Sequence, residues 1–268
     1  MANPAALRPI AFFDSGLGGI SVLRATRALM PNESYLYYGD SANAPYGVKP
    51  AAEICRLSEA VMQQVLRRGA KAVVVACNTA TGVAIDQLRA QHPQVPIIGV
   101  EPAVKPAAER FPGGTILILA TPQCLRSERF LQLQARFSSM ANCIAVPCGG
   151  LMEFVERGEL HSAALQQYLE EKLAPWKNTQ VDAAVLGCTH YPFLRAAIQQ
   201  ALPGATVLDG NLGIALQLQR RLRQLGLLSP AAQPGCVTFL NSSEDPALLA
   251  RSRMLLELPE QTDDEAPL

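Results

Sequence analysis

Two short segments of the sequence repeat one pattern, and this repeat limits the possible folds more than any other feature. Residues 72–80 read AVVVACNTA and residues 183–191 read AAVLGCTHY, so the two segments align without a gap. Each is an apolar run followed by a small residue, a cysteine and two polar residues. Such runs are typical of buried parallel strands, and the residues after each run are typical of a helix start. We therefore expect one structural unit to occur twice, with a cysteine beyond each strand's carboxyl end.

Cys77 and Cys188 hold the same position in the two segments. An isolated cysteine is most often a small buried apolar residue. Here the duplicated position favours function, because open α/β sheets bind ligands beyond the carboxyl ends of their strands. A helix N-terminus would also favour the thiolate form of each cysteine. A substrate held between two such thiols could lose a proton from one face of a carbon and gain a proton on the other face.

Strand and helix patterns alternate along the whole chain, which predicts an α/β fold with parallel sheets and right-handed crossovers. Besides the two cysteine strands, the pattern predicts strands at 10–13, 34–38, 97–100, 115–120, 143–147, 206–208 and 237–240. It predicts helices at 20–29, 51–68, 82–90, 127–137, 152–157, 162–173, 192–201 and 212–225.

The composition argues against several classes of protein. Apolar residues make up 49% of the 268 residues, and the formal charge is zero, so no nucleic-acid partner is expected. No apolar run approaches the roughly 20 residues of a membrane helix, and the N-terminus lacks the features of a signal peptide. We therefore expect a cytoplasmic protein without membrane contact.

The cysteine and histidine content argues against disulfide and metal frameworks. Seven widely spread cysteines are an odd number, which does not suit a disulfide scaffold. There are only three histidines, and His92 and His161 lie in polar, helix-like segments, so no metal site is expected. We interpret the remaining cysteines as structural: Cys55, Cys124, Cys143, Cys148 and Cys236.

Residues 14–19 read DSGLGG, a glycine-rich turn between a predicted strand and a predicted helix. Glycines there permit a tight turn and a close approach of another group. The turn lacks Gly-Lys-Ser/Thr and the spacing Gly-x-Gly-x-x-Gly, so a nucleotide cofactor is not expected. Taken alone, Asp14 or Ser15 could simply cap the helix.

Polar residues follow each of the paired cysteines. Asn78 and Thr79 follow the first, and Thr189 and His190 follow the second. They could cap helices and present N–H groups to a carboxylate. His190 is two residues from Cys188, so it could tune that thiol or relay protons to it.

Five motifs resemble those of glutamate racemases, in the aspartate/glutamate racemase superfamily, and occur in the same order. They are DSGLGG at 14–19, YGD at 38–40, PYG at 45–47, ACNT at 76–79 and LGCTHYP at 186–192. The resemblance extends from about Ile10 to Asn241. It implies a cofactor-independent enzyme that interconverts L- and D-glutamate with two cysteine bases and supplies D-glutamate for peptidoglycan.

The resemblance also implies an architecture. Two pseudo-symmetric parallel-sheet α/β domains would enclose the active site between them. The first domain would comprise residues 1–100 plus 207–268, and the second would comprise residues 101–206. The only partner implied is glutamate, and the chain could form a homodimer.

Site roles follow by matching motif positions. Asp14 would assist Cys77, and His190 would assist Cys188. On residue logic alone, Asp40, Tyr46 and Glu156 are equally compatible with turn or helix surfaces. The resemblance adds Asp40 and Glu156 to the catalytic set. The implied substrate-binding residues are Ser15, Pro45, Tyr46, Gly47, Asn78, Thr79, Thr121 and Thr189.

Three positions depart from the resemblance. Cys124 stands where the family often has threonine, and residues 209–211 read DGN rather than Asp-Ser-Gly. Residues 149–153 read GGLME, which leaves open whether Glu153 or Glu156 is the acidic site residue.

Alternative functions remain open at this point. A related racemase could act on aspartate or another amino acid, and a non-catalytic binding protein could share the fold. A thiol redox protein is a third class, although the sequence has no Cys-x-x-Cys.

Overall fold

The strands lie in two parallel sheets. The computed structural model describes residues 3–259, and in that range one sheet has five strands and the other has four. Strand bounds are β1 Ile10–Asp14, β2 Tyr35–Gly39, β3 Ala72–Val75, β4 Ile97–Gly99, β5 Thr115–Ala120, β6 Asn142–Pro147, β7 Ala183–Leu186, β8 Thr206–Leu208 and β9 Val237–Asn241.

The two sheets repeat one strand order. The first reads β4-β3-β1-β2-β9, and the second, read from its other edge, reads β8-β7-β5-β6. The cysteine strands β3 and β7 thus occupy equivalent places, each beside the central strand of its half, β1 or β5. This confirms the predicted class of two pseudo-symmetric parallel-sheet α/β units, with β9 as an addition to the first.

Helices flank both sheets and connect successive strands. Their bounds are α1 Ile20–Leu29, α2 Ala51–Arg67, α3 Asn78–Gln91, α4 Val104–Arg110, α5 Pro122–Arg126, α6 Glu128–Phe137, α7 Leu151–Arg157, α8 Ala163–Leu173, α9 Arg195–Ala201, α10 Asn211–Gln224 and α11 Pro246–Glu257.

Several helices differ from the sequence prediction, and α4, α5 and α11 are absent from the predicted set. α3 begins at Asn78, ahead of the predicted start at residue 82, because Cys77 caps it. The predicted helix at 192–201 is wrong in its first turn, where Tyr191–Leu194 form a 3-10 helix before α9. The sequence pattern does not predict α4, because a proline such as Pro106 usually breaks a helix. In the structure Pro106 lies in the first turn of α4, where a proline is tolerated.

The chain crosses between the two sheets near the predicted boundaries. β8 pairs with β7 in the second sheet, so the predicted boundary between residues 206 and 207 falls inside a strand. β9 then pairs with β2, returning the chain to the first sheet. The division into two domains with the bounds given above stays a prediction, and residues 260–268 of its first part lie outside the described range.

One apolar core extends across both halves. One buried cluster contains Ile20 of α1, Tyr37 of β2 and Leu255 of α11 from the first half. The same cluster contains Val155 of α7 and Tyr191, which precedes α9, from the second half. Burial of this area is the main favourable term holding the halves together. Among residues 3–259, no helix is both long and apolar enough to cross a membrane.

A buried ion pair ties several segments together at the amino-terminal edge of the first sheet. Lys71 Nζ lies 2.5 Å from Glu33 Oε2 and 2.5 Å from the carbonyl oxygen of Ala6. The N–H of Ser229 donates to the other Glu33 oxygen at 2.7 Å. The side chains of Lys71 and Glu33 are only 1% and 3% exposed, so neither charge can turn to water for solvation.

We expect Lys71→Met to lower the free energy of unfolding by about 3–5 kcal/mol, because it leaves a buried carboxylate without its cation. Urea denaturation measures the change. Lys105→Met is the matched control, since Lys105 pairs with Glu109 at 3.7 Å on the surface and should leave stability nearly unchanged. Equal losses in the two variants would contradict this assignment.

Candidate active site

Both repeated cysteines line one small cavity at the carboxyl ends of the strands, between the two halves. Cys77 follows β3 and Cys188 follows β7, and both are nearly buried. The cavity therefore brings together the residues that the sequence repeat singled out. Its lining consists of Asp14, Ser15, Gly47, Cys77, Asn78, Thr79, Thr121, Met152, Gly187, Cys188, Thr189 and His190.

Cys77 is the N-cap of α3. Its Sγ accepts the N–H of Ala80 at 3.4 Å and lies 3.7 Å from the hydroxyl of Ser15. Burial and the negative charge of Asp14 raise the pKa of Cys77 to about 12, although those two hydrogen bonds oppose the rise. The helix start alone therefore does not make Cys77 a thiolate, and in the free protein it is a thiol at neutral pH.

Asp14 reaches Cys77 only through Ser15. The Ser15 hydroxyl and the Gly16 N–H donate to Oδ1 of Asp14 at 3.1 and 3.0 Å, and the Thr189 hydroxyl donates to Oδ2 at 2.8 Å. Burial raises the pKa of Asp14, while the charge of His190 and these donors oppose it. The predicted assistance to Cys77 stays a prediction, and a Cys77–Ser15–Asp14 sequence is the path that the contacts offer.

Cys188 has a different partner. No α-helix begins there, so the predicted helix-terminus effect does not apply to this thiol. Instead its Sγ lies 3.7 Å from Nδ1 of His190, whose Nε2 lies 2.7 Å from Oε1 of Glu156. Burial alone would lower the pKa of His190, but hydrogen bonds and charges from Cys188 and Glu156 outweigh it and hold the pKa well above its usual range.

The proton on Nε2 of His190 can be assigned from its neighbours. This nitrogen also lies 3.1 Å from the backbone nitrogen of Gly18, and it cannot donate to a carboxylate and accept from an N–H at once. Burial would raise the pKa of Glu156, but His190, the Leu17 N–H and the charge of Arg251 outweigh it and lower that pKa. Glu156 is therefore ionised, Nε2–H donates to it, and Nδ1 faces the Cys188 sulfur.

The glycine-rich turn makes room for these second-half side chains. A Cβ on Gly16 would lie 2.1 Å from Oε1 of Glu156, and a Cβ on Gly18 would lie 2.2 Å from Nδ1 of His190. The Leu17 N–H between them donates to Glu156 at 2.7 Å. The turn thus holds a carboxylate and an imidazole of the same chain.

Several predicted substrate-binding residues offer polar atoms to the cavity. Oδ1 of Asn78 is buried without a hydrogen-bond partner. The hydroxyls of Thr79 and Thr121 lie 3.1 Å apart, one from each half. An unpaired buried acceptor beside a hydroxyl pair suits a ligand with both donors and acceptors.

Three other residues that the sequence predicts for the site do not line the cavity: Asp40, Pro45 and Tyr46. The Tyr46 hydroxyl donates to Asp40 Oδ2 at 2.6 Å, and Asn43 donates to the same carboxylate. Asp40 therefore supports the loop that brings Gly47 to the cavity, and its predicted catalytic role stays a prediction. Pro45 and Tyr46 precede Gly47 on this loop, and their predicted contact with substrate stays a prediction.

Glu156, rather than Glu153, contacts the histidine. Both lie on α7, but Glu153 has an unpartnered carboxylate oxygen and Glu156 bonds Leu17 and His190. Sequence reasoning missed Ser21, whose hydroxyl donates to the Thr189 carbonyl at 2.8 Å. Ser21 and Thr189 are 168 residues apart in the sequence, and no local pattern around a serine in a helix predicts such a contact.

All seven cysteines are free thiols. Over residues 3–259, no group of three or more His, Cys, Asp or Glu side chains is arranged to hold a metal ion. The chemistry that these residues offer in the cavity is proton transfer by thiols, with an Asp–Ser pair on one side and a His–Glu pair on the other.

We expect iodoacetamide to alkylate Cys188 at least about tenfold faster than Cys77 near pH 8, because the raised pKa of Cys77 keeps it a thiol. Peptide mass spectrometry of timed samples measures both rates in one experiment. Because the two thiols are almost equally buried, 5% and 7% exposed, the comparison is internally matched for access. Faster labelling of Cys77 would contradict the assignment.

We expect Gly18→Ala to slow Cys188 alkylation by about tenfold, because the added methyl would displace the His190 ring from the thiol. Cys77 labelling should not change. Gly213→Ala is the matched control, since a Cβ there meets nothing within 4 Å. A folded Gly18→Ala variant, judged by circular dichroism, with unchanged Cys188 labelling would argue against this role of the turn.

Several solved structures of similar shape are glutamate racemases. That of Escherichia coli, in complex with L-glutamate and the activator UDP-MurNAc-Ala, superposes with a TM-score of 0.81 at 31% identity, covering 91% of this chain and 95% of that one. That of Francisella tularensis, in complex with D-glutamate, has a TM-score of 0.82 at 25% identity and covers 96% of both chains.

Sequence relatives agree with the structural ones. A glutamate racemase of Clostridium perfringens is 43% identical over 251 residues, which are 93% of this chain and 96% of that protein. The family model described as Asp/Glu/Hydantoin racemase matches residues 20–217, from α1 into α10 and including both cysteines. With two thiols facing one cavity in a duplicated α/β fold, the chain belongs to the Asp/Glu/hydantoin racemase family.

Proposed function

We propose that this protein interconverts L- and D-glutamate by a two-base mechanism in which Cys77 and Cys188 act on opposite faces of the α-carbon. The observation that carries the proposal is the pair of buried thiols lining one cavity from equivalent strand ends. The choice of glutamate rests on the relatives, which are named glutamate racemases at 40–43% identity.

The reaction is a balanced exchange of protons. One cysteine, as thiolate, takes the α-proton and becomes a thiol, leaving the electron pair on the α-carbon and its carboxylate. The other cysteine, as thiol, donates its proton to the opposite face and becomes a thiolate. The enzyme form that remains is ready for the opposite enantiomer, so each direction of the reaction starts from a different protonation state.

The two half-sites differ in how they favour the charged sulfur. On one side, His190 can present Nδ1–H and a positive charge to Cys188, with Glu156 holding the far side of the ring. On the other side, the Ala80 N–H donates to the Cys77 sulfur, while the Ser15 hydroxyl donates to Asp14 and accepts from the Cys77 thiol. The free enzyme therefore favours Cys188 as base and Cys77 as acid.

The α-carboxylate must be held by strong donors, because electron density moves onto it as the proton leaves. The N–H groups of Asn78 and Thr79 lie in the first turn of α3, where helix N–H groups have no partner within the helix. The Thr79, Thr121 and Thr189 hydroxyls add donors from both halves. The unpaired Oδ1 of Asn78 is suited to accept from the α-ammonium group.

Other residues have supporting roles in this proposal. Asp14 and Ser15 would exchange protons with Cys77, and Gly47, on the loop held by Asp40, would border the substrate. Pro45 and Tyr46 belong to that loop. We retain as predictions that the reaction needs no cofactor, that the enzyme is cytoplasmic and could form a homodimer, and that its D-glutamate enters peptidoglycan.

We expect L-glutamate in heavy water to give D-glutamate that carries deuterium at the α-carbon, while recovered L-glutamate stays unlabelled early in the reaction. Two bases predict this, because the incoming proton comes from a different thiol, one that has exchanged with solvent. Proton NMR and chiral chromatography measure both products. Unlabelled D-glutamate would indicate a single base.

Cys77→Ser and Cys188→Ser should each lower racemisation by roughly 10²–10⁴-fold without unfolding the protein, because each removes one base. With a glutamate analogue that bears chloride on the β-carbon, only one deprotonation is needed, so each variant should still eliminate chloride from one enantiomer. Cys55→Ser, at a thiol outside the cavity, is the control.

The same assays separate the alternatives. Faster turnover of L-aspartate than of L-glutamate would point to a different substrate. Absence of α-proton exchange with every amino acid tested would favour a binding protein, and thiols lost to mild oxidant would favour a redox protein.

A further inference from the structure

Arg251 connects the C-terminal helix to the acidic residue of the site. It lies on α11, which packs against α1 and β9 of the first half. Its Nη1 donates to the main-chain carbonyl of Glu156 on α7, in the second half. Its Nε would lie 3.5 Å from a Cβ on Gly158, so the guanidinium covers the end of α7 closely.

The end of α7 is a place where a cation is favourable. Gly158 terminates the helix with φ of 78°, a left-handed conformation that glycine adopts without strain. The last carbonyls of a helix carry partial negative charge and lack partners within the helix. Arg251 satisfies one of these carbonyls, and that carbonyl belongs to the residue whose side chain holds His190.

We infer that Arg251 is a positioning residue for the Cys188 half of the site. By fixing the backbone of Glu156, it places the carboxylate where it can bond Leu17 and His190 at the same time, and so keeps Nδ1 of His190 against the Cys188 sulfur. This inference rests on the proposed function for its catalytic consequence, but the placement of the thiol's partners can be tested without turnover.

Other charged groups around Glu156 do not duplicate this role. Arg157, the next residue, is exposed and pairs with Glu159 at 2.7 Å. Asp14 of β1 and Tyr37 of β2 face the site from the first sheet, where a negative charge would oppose that of Glu156. Two charges lower the pKa of Glu156, that of His190 and that of Arg251. Arg251 is the one that lies outside the cavity.

The test compares three full-length variants, Arg251→Gln, Arg251→Lys and Arg253→Gln. Arg253 is exposed on the same helix and serves as the matched control. The readout is the pH dependence of iodoacetamide alkylation at Cys188 and Cys77, followed by peptide mass spectrometry. Circular dichroism reports folding, and kcat and KM are measured in both directions.

We expect Arg251→Gln to slow Cys188 alkylation near pH 7 by about tenfold and to move its profile to higher pH, because a displaced Glu156 supports the His190 cation less well. Cys77 should be labelled at the wild-type rate. Arg251→Lys, which keeps the charge, should recover much of the Cys188 rate, and Arg253→Gln should match wild type. In turnover, kcat should fall more in the direction that begins with Cys188 as base.

An unchanged Cys188 profile in folded Arg251→Gln would overturn the inference, and so would equal changes at both cysteines, which would indicate general loosening. If Arg251→Gln does not fold, Arg251→Met, which also removes the charge and the donor, decides: a profile identical to wild type at both thiols overturns the inference, and slower labelling of Cys188 alone supports it. Arg251→Gln could change Cys188 alkylation in a protein whose wild-type form does not racemise glutamate. That result would contradict the proposed function and still support the positioning role of Arg251.

Discussion

The carboxylate of Glu156 is the contact on which the site's geometry depends. It comes from the second half, accepts the Leu17 N–H of the first half at 2.7 Å, and accepts Nε2–H of His190 at the same distance. Two charge-assisted hydrogen bonds to one oxygen hold the histidine against both the glycine-rich turn and the second thiol. Without it, the ring could rotate away from Cys188, because its Nδ1–Sγ contact at 3.7 Å is weak by itself.

Burial of charge is the cost of this arrangement, and the fold offsets it with paired contacts across the two halves. Asp14 is fully buried, yet three donors reach it, among them Thr189 from the opposite cysteine segment. A buried carboxylate with satisfied hydrogen bonds is tolerable, whereas an unpaired one is strongly destabilising. The second cysteine segment therefore does more than present a thiol, because the threonine after its cysteine stabilises a charged group of the first half.

Local patterns in the sequence predicted the fold well because they depend on neighbours in the chain. The duplicated apolar run before Cys77 and Cys188 was sufficient to predict equivalent strands in two parallel sheets. Contacts between distant segments were beyond such reasoning. No local signal distinguishes Glu156 from Glu153, because the choice is made by where Leu17 and His190 lie. Similarly, the expected helix start after Cys188 failed because the chain there turns through a 3-10 helix instead.

The pairing of a symmetric fold with asymmetric partners has a thermodynamic consequence for the proposed reaction. L- and D-glutamate have the same free energy in water, so kcat/KM must be equal in the two directions whatever the protein does. A histidine beside Cys188 and a serine beside Cys77 cannot bias the final ratio of enantiomers. The difference can only redistribute each direction's efficiency between kcat and KM, by setting which protonation state the free enzyme prefers. The duplicated backbone thus supplies two opposed thiols, and the divergence of the residues around them sets the resting state from which each enantiomer is bound.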